Sequence, residues 1–402
     1  MADSRPALDG GRPVRSRRLP FYRPLLGVAE ERAVVRVLRS RWITSGPLVA
    51  QFERAMGRML HCPHVLAVSS CTAGLSLGLE VLGVRPGDEV ITTPLTFAAT
   101  ANVIVHRGAR PVFADVDPDT LTLDPASADR LVTRRTRAIL PVHLAGQPCD
   151  MASIRALARR HRLSVIDDAA HAFGAKYDGK WIGHWADVTA FSFHAVKNLT
   201  TAEGGLMTVR TSAMERRLRV LAFHGLNSDA WRRQQAQGWR YVVQEAGYKA
   251  NLSDLQAALG LAQLRRFGTF QRRRRRIAAA YQRAFQDYSE LIVPQEVLGT
   301  RHAWHVYLLR LRLERLRIDR DRFLQALAAE GITGNVHYVP LHLQPFYRRR
   351  FGYGPGLCPV AERAAQQIVT LPLYPAMTAA DISDVIAAVT KLVRYYARRG
   401  MV

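Results

Sequence analysis

Between about residues 60 and 210, short apolar runs alternate with longer stretches in which apolar residues recur at helical spacing. Strands are predicted for the runs bounded by Gly, Pro or Asp, namely HVLAVSS, DEVITTP, PVFADVD, RAILPVHL, LSVIDDAA, DVTAFSFH and GLMTVR. Helices are predicted for the stretches between them, namely TAGLSLGLEVLG, TFAATANVIVHRG, ASADRLVTRRT and MASIRALARRHR. Because this alternation is typical of a sheet covered on both faces, we predict an α/β fold with a mostly parallel sheet.

The rest of the chain has a different pattern. Residues 211–290 are predicted to be largely helical, and the segment AALGLAQLRRF carries helical apolar spacing. From about residue 291, strand-like runs (HAWHVYLLRLRL and GNVHYVPLH) mix with helical ones (DRFLQALAAEG and DISDVIAAVTKLVRYYARR). We therefore predict a flexible basic arm over residues 1–20, a large domain over 21–265 and a smaller C-terminal α+β lobe over 266–402.

The composition of the 402 residues is that of a soluble globular protein, with 48% hydrophobic and 22% charged residues. No stretch of about 18 uncharged apolar residues occurs, so no membrane span is predicted. The N-terminus has basic residues but lacks the apolar segment of a secretory signal. We therefore expect a cytoplasmic location.

The charge balance is strongly basic, with a formal net charge of +24. Five of the 57 basic residues are lysines, which leaves 52 arginines. Such a balance is compatible with nucleic-acid binding, but the arginines are spread along the chain. The run at residues 272–276 lies in a helical pattern without interleaved aromatic residues, which favours a solvated basic face. No nucleic-acid partner is expected.

The histidines and cysteines do not predict a metal site or a disulfide framework. The cysteines are far apart and form no C-x-x-C pair. His302 and His305 are three residues apart, and His337 and His342 are five apart, in strand-like runs where odd spacings face opposite sides. Structural or substrate-contacting roles are therefore favoured over metal ligation.

Three polar segments at strand ends carry the candidate chemistry. Asp168 ends an apolar strand in VIDDAAHAFGA, where a carboxylate is either a helix cap or a ligand contact. Lys197 follows another strand in FSFHAVKNLTTAEGG, and a desolvated lysine serves as a nucleophile toward carbonyls. VSSCTAGLSL turns from a strand into a helix N-terminus, a common phosphate site. An acid, a lysine and a phosphate site on one sheet suit pyridoxal 5'-phosphate (PLP).

At this point the sequence resembles a known family, the DegT/StrS sugar aminotransferases among the fold-type I PLP enzymes. The resemblance covers about residues 20–395. Its motifs occur in the family's order, namely WITSGP at 42–47, SSCTAG at 69–74, TPLTFAATAN at 93–102, PVHLAGQPCDM at 141–151, VIDDAAHAFGA at 165–175, SFHAVKNLTTAEGGL at 192–206, FHGL at 223–226, GYKANLSDLQAALG at 247–260, HAWH at 302–305 and GNVHYVPLH at 334–342.

The resemblance implies a role for each matching residue. Lys197 matches the lysine that bonds to the cofactor aldehyde and then moves the proton between substrate and cofactor. Asp168 matches the acid at the pyridine nitrogen, so the cap interpretation becomes a minor one. Phe97 matches the aromatic residue that stacks on the cofactor ring, and His171 matches the residue that contacts the oxygen side of that ring. The phosphate would be held by Thr72, Ala73 and Ser192.

The resemblance also implies a homodimer with shared active sites, because GYKANLSD reaches the cofactor phosphate of the neighbouring subunit in this family. Lys249 and Asn251 replace the family's frequent Asn and Arg in that segment, and Cys71 stands where the phosphate loop usually has Gly. The Lys249 and Asn251 pair, the SSCTAG loop and the SFHAVKNLTTAEGG stretch are most similar to enzymes that aminate UDP-4-keto-L-arabinose. The implied reaction is a ping-pong transfer from L-glutamate to the C4 keto group of a nucleotide-linked sugar, for lipid A, a surface glycan or an antibiotic sugar.

Four residues of the small lobe are predicted to contact the sugar or the nucleotide, namely His302, Trp304, His337 and Tyr338, although packing within the lobe is an equal alternative. Two other functions stay open. A PLP-dependent sugar dehydratase of the same fold usually has His in place of the lysine, which Lys197 argues against. A catalytically inactive nucleic-acid-binding homologue would use the basic charge, but it would not need Lys197 and Asp168.

Overall fold

A computed structural model describes residues 5–227 and 239–398. Its strands in chain order are β1 (Val65–Val68), β2 (Glu89–Thr92), β3 (Arg110–Phe113), β4 (Thr136–Leu140), β5 (Ser164–Asp168), β6 (Lys176–Tyr177), β7 (Lys180–Trp181), β8 (Val188–Ser192), β9 (Gly205–Val209), β10 (Leu291–Ile292), β11 (Thr300–Arg301), β12 (Tyr307–Leu311) and β13 (Ile368–Leu371).

The α-helices of the described residues alternate with these strands. They are α1 (Val28–Ser40), α2 (Pro47–Leu60), α3 (Cys71–Val81), α4 (Ala98–His106), α5 (Pro125–Arg130), α6 (Met151–His161), α7 (Ser212–Leu221), α8 (Asp254–Phe285), α9 (Arg320–Ala329), α10 (Pro345–Phe351), α11 (Pro359–Gln367) and α12 (Ala379–Tyr396). None of them is both long enough and apolar enough to cross a membrane.

The central sheet has seven strands in the order β1-β9-β8-β5-β4-β2-β3. Strands β3, β2, β4, β5 and β8 run parallel, whereas β9 is antiparallel to both of its neighbours. The predicted α/β fold with a mostly parallel sheet is therefore confirmed. Because parallel strands end at the same edge, the last residues of β5 and β8, Asp168 and Ser192, lie at one edge of the sheet.

A smaller α+β lobe follows the sheet domain, as the pattern predicts. Its antiparallel sheet has the order β10-β12-β13. Tyr307 of β12, Phe323 of α9 and Val389 of α12 are fully buried in one apolar cluster. The proposed boundary between residues 265 and 266 falls inside α8, which is one continuous helix.

The N-terminal segment differs from the expected flexible arm. Residues 1–4 lie outside the described part, but residues 5–20 pack on the small lobe. The Arg15 Nη1 atom is 2.8 Å from Asp381 Oδ1 and 2.6 Å from Asp384 Oδ2. Leu19 is 3% exposed and forms a bridge with Ile332. The N-terminal segment is ordered by carboxylates and an apolar surface from the C-terminal part of the chain. The composition of residues 1–20 alone cannot indicate such distant partners.

One secondary-structure prediction is wrong, and another is confirmed only in part. GNVHYVPLH makes only one isolated bridge, between Asn335 and Thr370, and Pro340 lacks the N–H that a continuing ladder needs. The helices of residues 211–290 are interrupted at 222–227 and at 239–253. Gly225 has φ +73° there, and a Cβ on it would lie 1.6 Å from the Glu245 carbonyl oxygen, so the chain turns instead of continuing as a helix.

The arginine run on α8 is only partly a solvated face. Arg272, Arg273 and Arg276 are exposed, as expected. Arg274 is fully buried, and its Nη1 donates to three carbonyl oxygens, those of Trp304, His305 and Leu373. Burial lowers the pKa of Arg274 to about 10. This side chain ties the helix to the small-lobe segment that precedes β12.

Candidate active site

A cavity of about 590 Å³ opens at the carboxyl edge of the sheet, where the small lobe meets the large domain. One side of the cavity, here called the sheet wall, is formed by large-domain residues, chiefly Cys71, Thr72, Phe97, Asp168, His171, Ser192 and Lys197. The opposite side, here called the lobe wall, is formed by Phe21, Tyr22, His305, Asn335, His337 and Tyr338. The cavity therefore brings together most of the candidate residues.

Asp168 is held by donors on both carboxylate oxygens. The Thr100 hydroxyl donates to Oδ2 at 2.7 Å, and the Ala170 amide donates to Oδ1 at 3.1 Å. The Thr96 and Thr100 hydroxyl oxygens are 2.7 Å apart, so Thr96 donates to Thr100. Asp168 is 5% exposed, and the two donors fix the positions of both carboxylate oxygens. The carboxylate is thus oriented and able to pair with a cationic ring nitrogen.

Lys197 lies in the loop after β8 and lines the cavity. Burial of the amino group lowers the pKa of Lys197 to about 8, although the charges of Cys71 and Asp168 act in the opposite direction. A pKa of 8 instead of 10.5 gives about 300 times more free amine at neutral pH. Lys197 is therefore suited to act as a nucleophile and as a proton carrier.

The N-terminus of α3 offers unbonded amide groups to the cavity. The Ser70 hydroxyl caps the helix and accepts from the Ala73 amide at 3.0 Å. The amides of Cys71 and Thr72 have no acceptor among the described residues. A Cβ on Gly205 would lie 2.6 Å from the Ser70 carbonyl carbon, so only glycine lets β9 pack this closely against the turn. These amides and the helix dipole form a site for an anion such as phosphate.

Two further predicted cofactor contacts lie on the sheet wall. Ser192 ends β8 and is 7% exposed, and its hydroxyl accepts from the His194 amide at 3.4 Å. Phe97 precedes α4, and its side chain remains 63% exposed although it lines the cavity. The Phe97 ring centroid is 6.3 Å from that of Tyr338. An exposed aromatic face at the cavity mouth is available to cover a planar ligand ring.

His171 connects the two walls of the cavity. The Ala145 amide donates to its Nδ1 at 3.3 Å, so the proton of the neutral ring is on Nε2. Nε2 is 3.2 Å from the Tyr338 hydroxyl oxygen, to which it donates. Burial, together with the charge of Lys197, keeps the pKa of His171 well below its ordinary value. The Tyr338 hydroxyl proton is therefore free to be donated to a ligand.

Two more histidines lie on the lobe wall. His305 Nδ1 donates to Asn198 Oδ1 at 3.2 Å, which leaves Nε2 as an acceptor. His337 stacks on Phe21 with ring centroids 5.7 Å apart, and burial lowers its pKa to about 4. These rings are neutral at physiological pH, and the wall thus presents uncharged polar groups.

Five predicted site residues do not line this cavity, namely Ala73, Lys249, Asn251, His302 and Trp304. The Ala73 amide is already bonded to the Ser70 hydroxyl, so it is not available to a phosphate. His302 is 2% exposed, and its Nδ1 accepts from the Trp304 amide at 2.8 Å, so its predicted contact with substrate is corrected to a packing role. Lys249 is exposed, with Nζ 4.5 Å from the Phe223 ring centroid. Asn251 donates to the Ser45 hydroxyl, and its buried Oδ1 has no partner among the described residues.

Sequence reasoning missed Thr100, Tyr22 and His305. Thr100 lies one helical turn after Phe97, so the helical spacing of TFAATAN could have placed its hydroxyl beside the strand end. Tyr22 had no local signal, because the arm before it was expected to be flexible. The strand-like pattern of HAWH does not indicate which of His302 and His305 faces the cavity, because Trp304 between them has φ +48°.

The residues of the sheet wall fit PLP. Unbonded amides face the phosphate position, a free amine is available at Lys197 and an oriented carboxylate at Asp168. In the described residues, no group of three or more His, Cys, Asp or Glu side chains is placed to hold a metal ion. The donor set is therefore that of an organic phosphate cofactor.

Comparison with known proteins gives the same indication. The model of the DegT/DnrJ/EryC1/StrS aminotransferase family matches residues 24–390. The spore coat polysaccharide biosynthesis protein SpsC of Bacillus subtilis is 46% identical over 382 residues, which are 94% of this chain and 98% of SpsC.

Solved structures are similar over the same length. The protein Spr1654 of Streptococcus pneumoniae, in its PLP form, superposes with a TM-score of 0.87 at 33% identity, covering 94% of this chain and 98% of that chain. PseC of Helicobacter pylori, an aminotransferase involved in the biosynthesis of pseudoaminic acid, has a TM-score of 0.89 at 28% identity, covering 94% of this chain and 100% of PseC.

Proposed function

Since the chain belongs to the DegT/DnrJ/EryC1/StrS aminotransferase family and is a PLP-dependent transaminase, we propose that it moves the amino group of L-glutamate to the C4 keto carbon of a nucleotide-linked sugar. The observation that carries this proposal is the joint presence of Lys197, Asp168 and the α3 N-terminus in one cavity. The products would be 2-oxoglutarate and an amino sugar. PLP supplies, when bound, an aldehyde that takes up amino groups and a ring that withdraws electrons.

Lys197 would carry the proton in both halves of the reaction. In the donor half, its Nζ takes a proton from the α carbon of L-glutamate. In the acceptor half, it returns a proton to C4 of the sugar. Its low pKa supports both steps, because a group that titrates near the working pH can both accept and give a proton.

Asp168 would hold the cofactor ring nitrogen in its protonated form. Its two donors, Thr100 and Ala170, fix the orientation of the carboxylate. The amides of Cys71 and Thr72 and the hydroxyl of Ser192 would bind the phosphate. Phe97 would cover one face of the ring, and His171 would lie on its oxygen side. These assignments share one requirement, that the cofactor lies flat on the sheet wall.

The lobe wall supports a sugar as the amino acceptor. Its polar groups are the Tyr338 hydroxyl, the His305 ring and the Asn335 amide, all uncharged, and neutral donors and acceptors suit the hydroxyl groups of a sugar. SpsC takes part in polysaccharide synthesis and PseC in that of pseudoaminic acid, and both relatives favour a sugar. The net charge of +24 would attract a nucleotide diphosphate.

The substrate would be a UDP-linked 4-keto sugar in the cytoplasm. This choice rests on Lys249 and Asn251, which resemble the segment of enzymes that aminate UDP-4-keto-L-arabinose. The product would enter lipid A, a surface glycan or an antibiotic sugar.

A homodimer would complete the site. Lys249 and Asn251 do not line the cavity of their own chain, and the Asn251 Oδ1 atom lacks a partner among the described residues. Near them, Trp239 is 79% exposed and Val243 is 61% exposed. Such apolar exposure is typical of a surface that a second subunit covers. Lys249 and Asn251 would then reach the phosphate of the neighbouring cofactor.

A subunit complementation experiment tests the shared site. Lys197→Ala and Lys249→Ala chains, each inactive alone, would be co-expressed and purified as a mixed dimer. Partial activity in the mixture is expected, because one of its two cavities has both lysines intact. A mixture without activity, or an active Lys249→Ala enzyme, would count against a shared site.

The visible spectrum of the purified protein tests the reaction. The yellow band of bound PLP should disappear on addition of L-glutamate and return when the correct UDP-linked keto sugar is added. Return of the band with a keto sugar bound to another nucleotide would change the assigned substrate. A protein that gains no yellow band from added PLP would point to the inactive homologue, and DNA binding would then be measured.

A further inference from the structure

A second cavity, of about 310 Å³, lies beside the hairpin of β6 and β7 and shares no lining residue with the active-site cavity. It is called the hairpin pocket here. Its walls consist of residues from α6, the hairpin and the end of α2, namely His61, Arg155, Lys176, Gly179, Lys180, Trp181, His184 and Trp185. Its lining thus contains cations and indole rings and has no carboxylate.

The cations of the hairpin pocket have no anionic partners among the described residues. Arg155, Lys176 and Lys180 make no ion pair there and lie over indole rings instead. The Lys176 Nζ is 4.3 Å from the Trp181 ring centroid, and the Lys180 Nζ is 5.7 Å from that of Trp185. The Arg155 guanidinium carbon is 5.8 Å from the Trp185 centroid. The indoles hold these cations in place without neutralising them.

Two positively charged residues also face each other where strands β6 and β11 pair. Lys176 of β6 is paired with Arg301 of β11, directly opposite in an antiparallel ladder. Like charges in this position destabilise a sheet. The nearby carboxylate of Asp150 is already engaged, since it caps α6 and accepts from the Tyr177 hydroxyl at 2.8 Å. The cations that line the pocket are therefore not neutralised by an ion pair within the described part of the chain.

The choice of lysine at two positions is informative in a chain with 52 arginines and five lysines. Lys197 and Lys249 have proposed roles at the cofactor, and Lys391 contacts Glu330 at 2.9 Å. The other two, Lys176 and Lys180, both line the hairpin pocket. A lysine ammonium is a compact charge with three rotatable donors, and it binds phosphate as a point charge. Two lysines beside Arg155 are therefore compatible with a phosphate group.

One buried donor of the pocket has no acceptor in the described part of the chain. The Trp185 Nε1 atom is buried and has no acceptor among the described residues. The His184 Nε2 atom donates to the Leu60 carbonyl oxygen at 2.6 Å, so this ring adds no acceptor from that nitrogen. A ligand that complements this lining brings several negative oxygens and few hydrogens.

We propose that the hairpin pocket binds a diphosphate group, either inorganic or part of a nucleoside diphosphate. Three cations around a cavity of about 310 Å³ match a ligand with two or more negative charges and acceptor oxygens on several sides. The site is separate from the catalytic cavity and does not depend on the proposed reaction. Binding there is reversible and involves no covalent step.

The small number of lysines provides a direct test on the PLP-bound enzyme. Reductive methylation with ¹³C-formaldehyde keeps each lysine charge and labels at most five side chains, which Lys→Arg substitutions then assign in the NMR spectrum. Titration with pyrophosphate should shift the signals of Lys176 and Lys180 together and leave that of Lys391 in place. Unchanged Lys176 and Lys180 signals would overturn the proposal.

Substitutions complete the test. The double variant Lys176→Gln/Lys180→Gln should bind pyrophosphate at least about tenfold more weakly, measured by calorimetry. Arg159→Gln/Arg162→Gln also removes two positive charges, from exposed positions at the end of α6 outside the pocket, and should bind as the unsubstituted protein does. Equal losses in both variants would mean a diffuse basic surface, and no loss in the double variant would mean binding elsewhere; each result contradicts the proposal.

A second titration, with UDP, distinguishes an inorganic diphosphate from a nucleoside diphosphate as the ligand. Tighter binding of UDP than of pyrophosphate at Lys176 and Lys180 would assign the pocket to a nucleoside diphosphate. Equal affinities would assign it to the diphosphate group alone, and both results support the proposal. Shifts produced by duplex DNA and not by pyrophosphate would overturn it in favour of a nucleic-acid surface.

Discussion

The two walls of the active-site cavity are built in different ways. The sheet wall takes Asp168 and Ser192 from the ends of neighbouring strands in a regular, buried sheet. The lobe wall takes His305, His337 and Tyr338 from irregular segments that make few backbone ladder contacts. Since the strand ends are fixed by the whole sheet, the sheet wall suits a chemistry that is the same for every substrate. The lobe wall can vary without disturbing the sheet, which suits substrate selection.

This comparison predicts that sheet-wall substitutions impair both halves of the reaction, whereas lobe-wall substitutions impair only the half that uses the sugar. The two halves are measured separately, with L-glutamate alone and with the keto sugar alone, by following the cofactor band.

The largest effect is expected for Lys197→Ala. Loss of the nucleophile and proton carrier should reduce turnover by at least about 10³-fold in both halves. Circular dichroism should show an unchanged fold, because the lysine amine stabilises no other group. Near-normal turnover would mean that Lys197 is not the reacting lysine and would remove the functional difference between the walls.

Asp168→Asn should reduce turnover by about 10²-fold or more while PLP remains bound, because a neutral amide does not stabilise a cationic ring nitrogen. Asp167→Asn is a matched control from the neighbouring position. Asp167 is fully buried, with Oδ2 3.4 Å from His143 Nε2, on the side of β5 away from the cavity. Asp167→Asn should lower the melting temperature and keep turnover within about threefold of that of the unsubstituted enzyme. Equal losses of turnover in both variants would contradict the assigned role.

The rate at which the PLP-free protein takes up PLP should rise with pH. Only the neutral amine of Lys197 reacts, and its pKa is about 8. The rate should therefore increase about tenfold from pH 6 to pH 7 and level off above pH 8. The limiting rate at high pH should be about 100 times the rate at pH 6. A stopped-flow measurement of the yellow band gives this profile. A rate still rising tenfold per unit at pH 9.5 would mean that burial does not depress this pKa.

The smallest effect is expected on the lobe wall. Tyr338→Phe removes the hydroxyl that accepts from His171 and that can donate to the sugar. The sugar half should slow by about fivefold, and the glutamate half should be unchanged. Tyr347→Phe is the control, because its hydroxyl donates to Asn102 away from the cavity. Equal slowing of both halves by Tyr338→Phe would abolish the distinction between the walls.

Asp168, Lys197 and the turn before α3 could be predicted from local patterns in the sequence, whereas Phe97, His171 and Ser192 are indicated only by the family resemblance. Asp168 and Lys197 come directly after apolar runs bounded by small residues, and parallel strands bring such ends to one edge. Thr72 and Ala73 follow a strand at the start of a helix. Even there, the Ala73 amide is used by the Ser70 cap, a detail that the motif alone does not contain.

The lobe wall could not be predicted in the same way, because its geometry depends on distant partners. His302 is expected to line the cavity, but His305 lines it instead, because Trp304 between them adopts φ +48°. The His302 ring stacks on the Trp304 ring, with the ring centroids 4.0 Å apart. Arg274 is read as part of an exposed run, yet three carbonyl oxygens from two other segments bind it in the core. The spacing of apolar residues in a short segment of sequence does not indicate such contacts with distant segments.

The continuous helix α8 has a mechanical consequence. Its 32 residues extend for about 48 Å. Phe267 packs in the large domain, whereas Tyr281 and Phe285 pack in the small lobe. A hinge rotation of one lobe against the other would have to bend this helix and break the Arg274 contacts. Ligands are thus expected to enter a cleft of constant width, and any gate would consist of side chains such as Phe97 at its mouth.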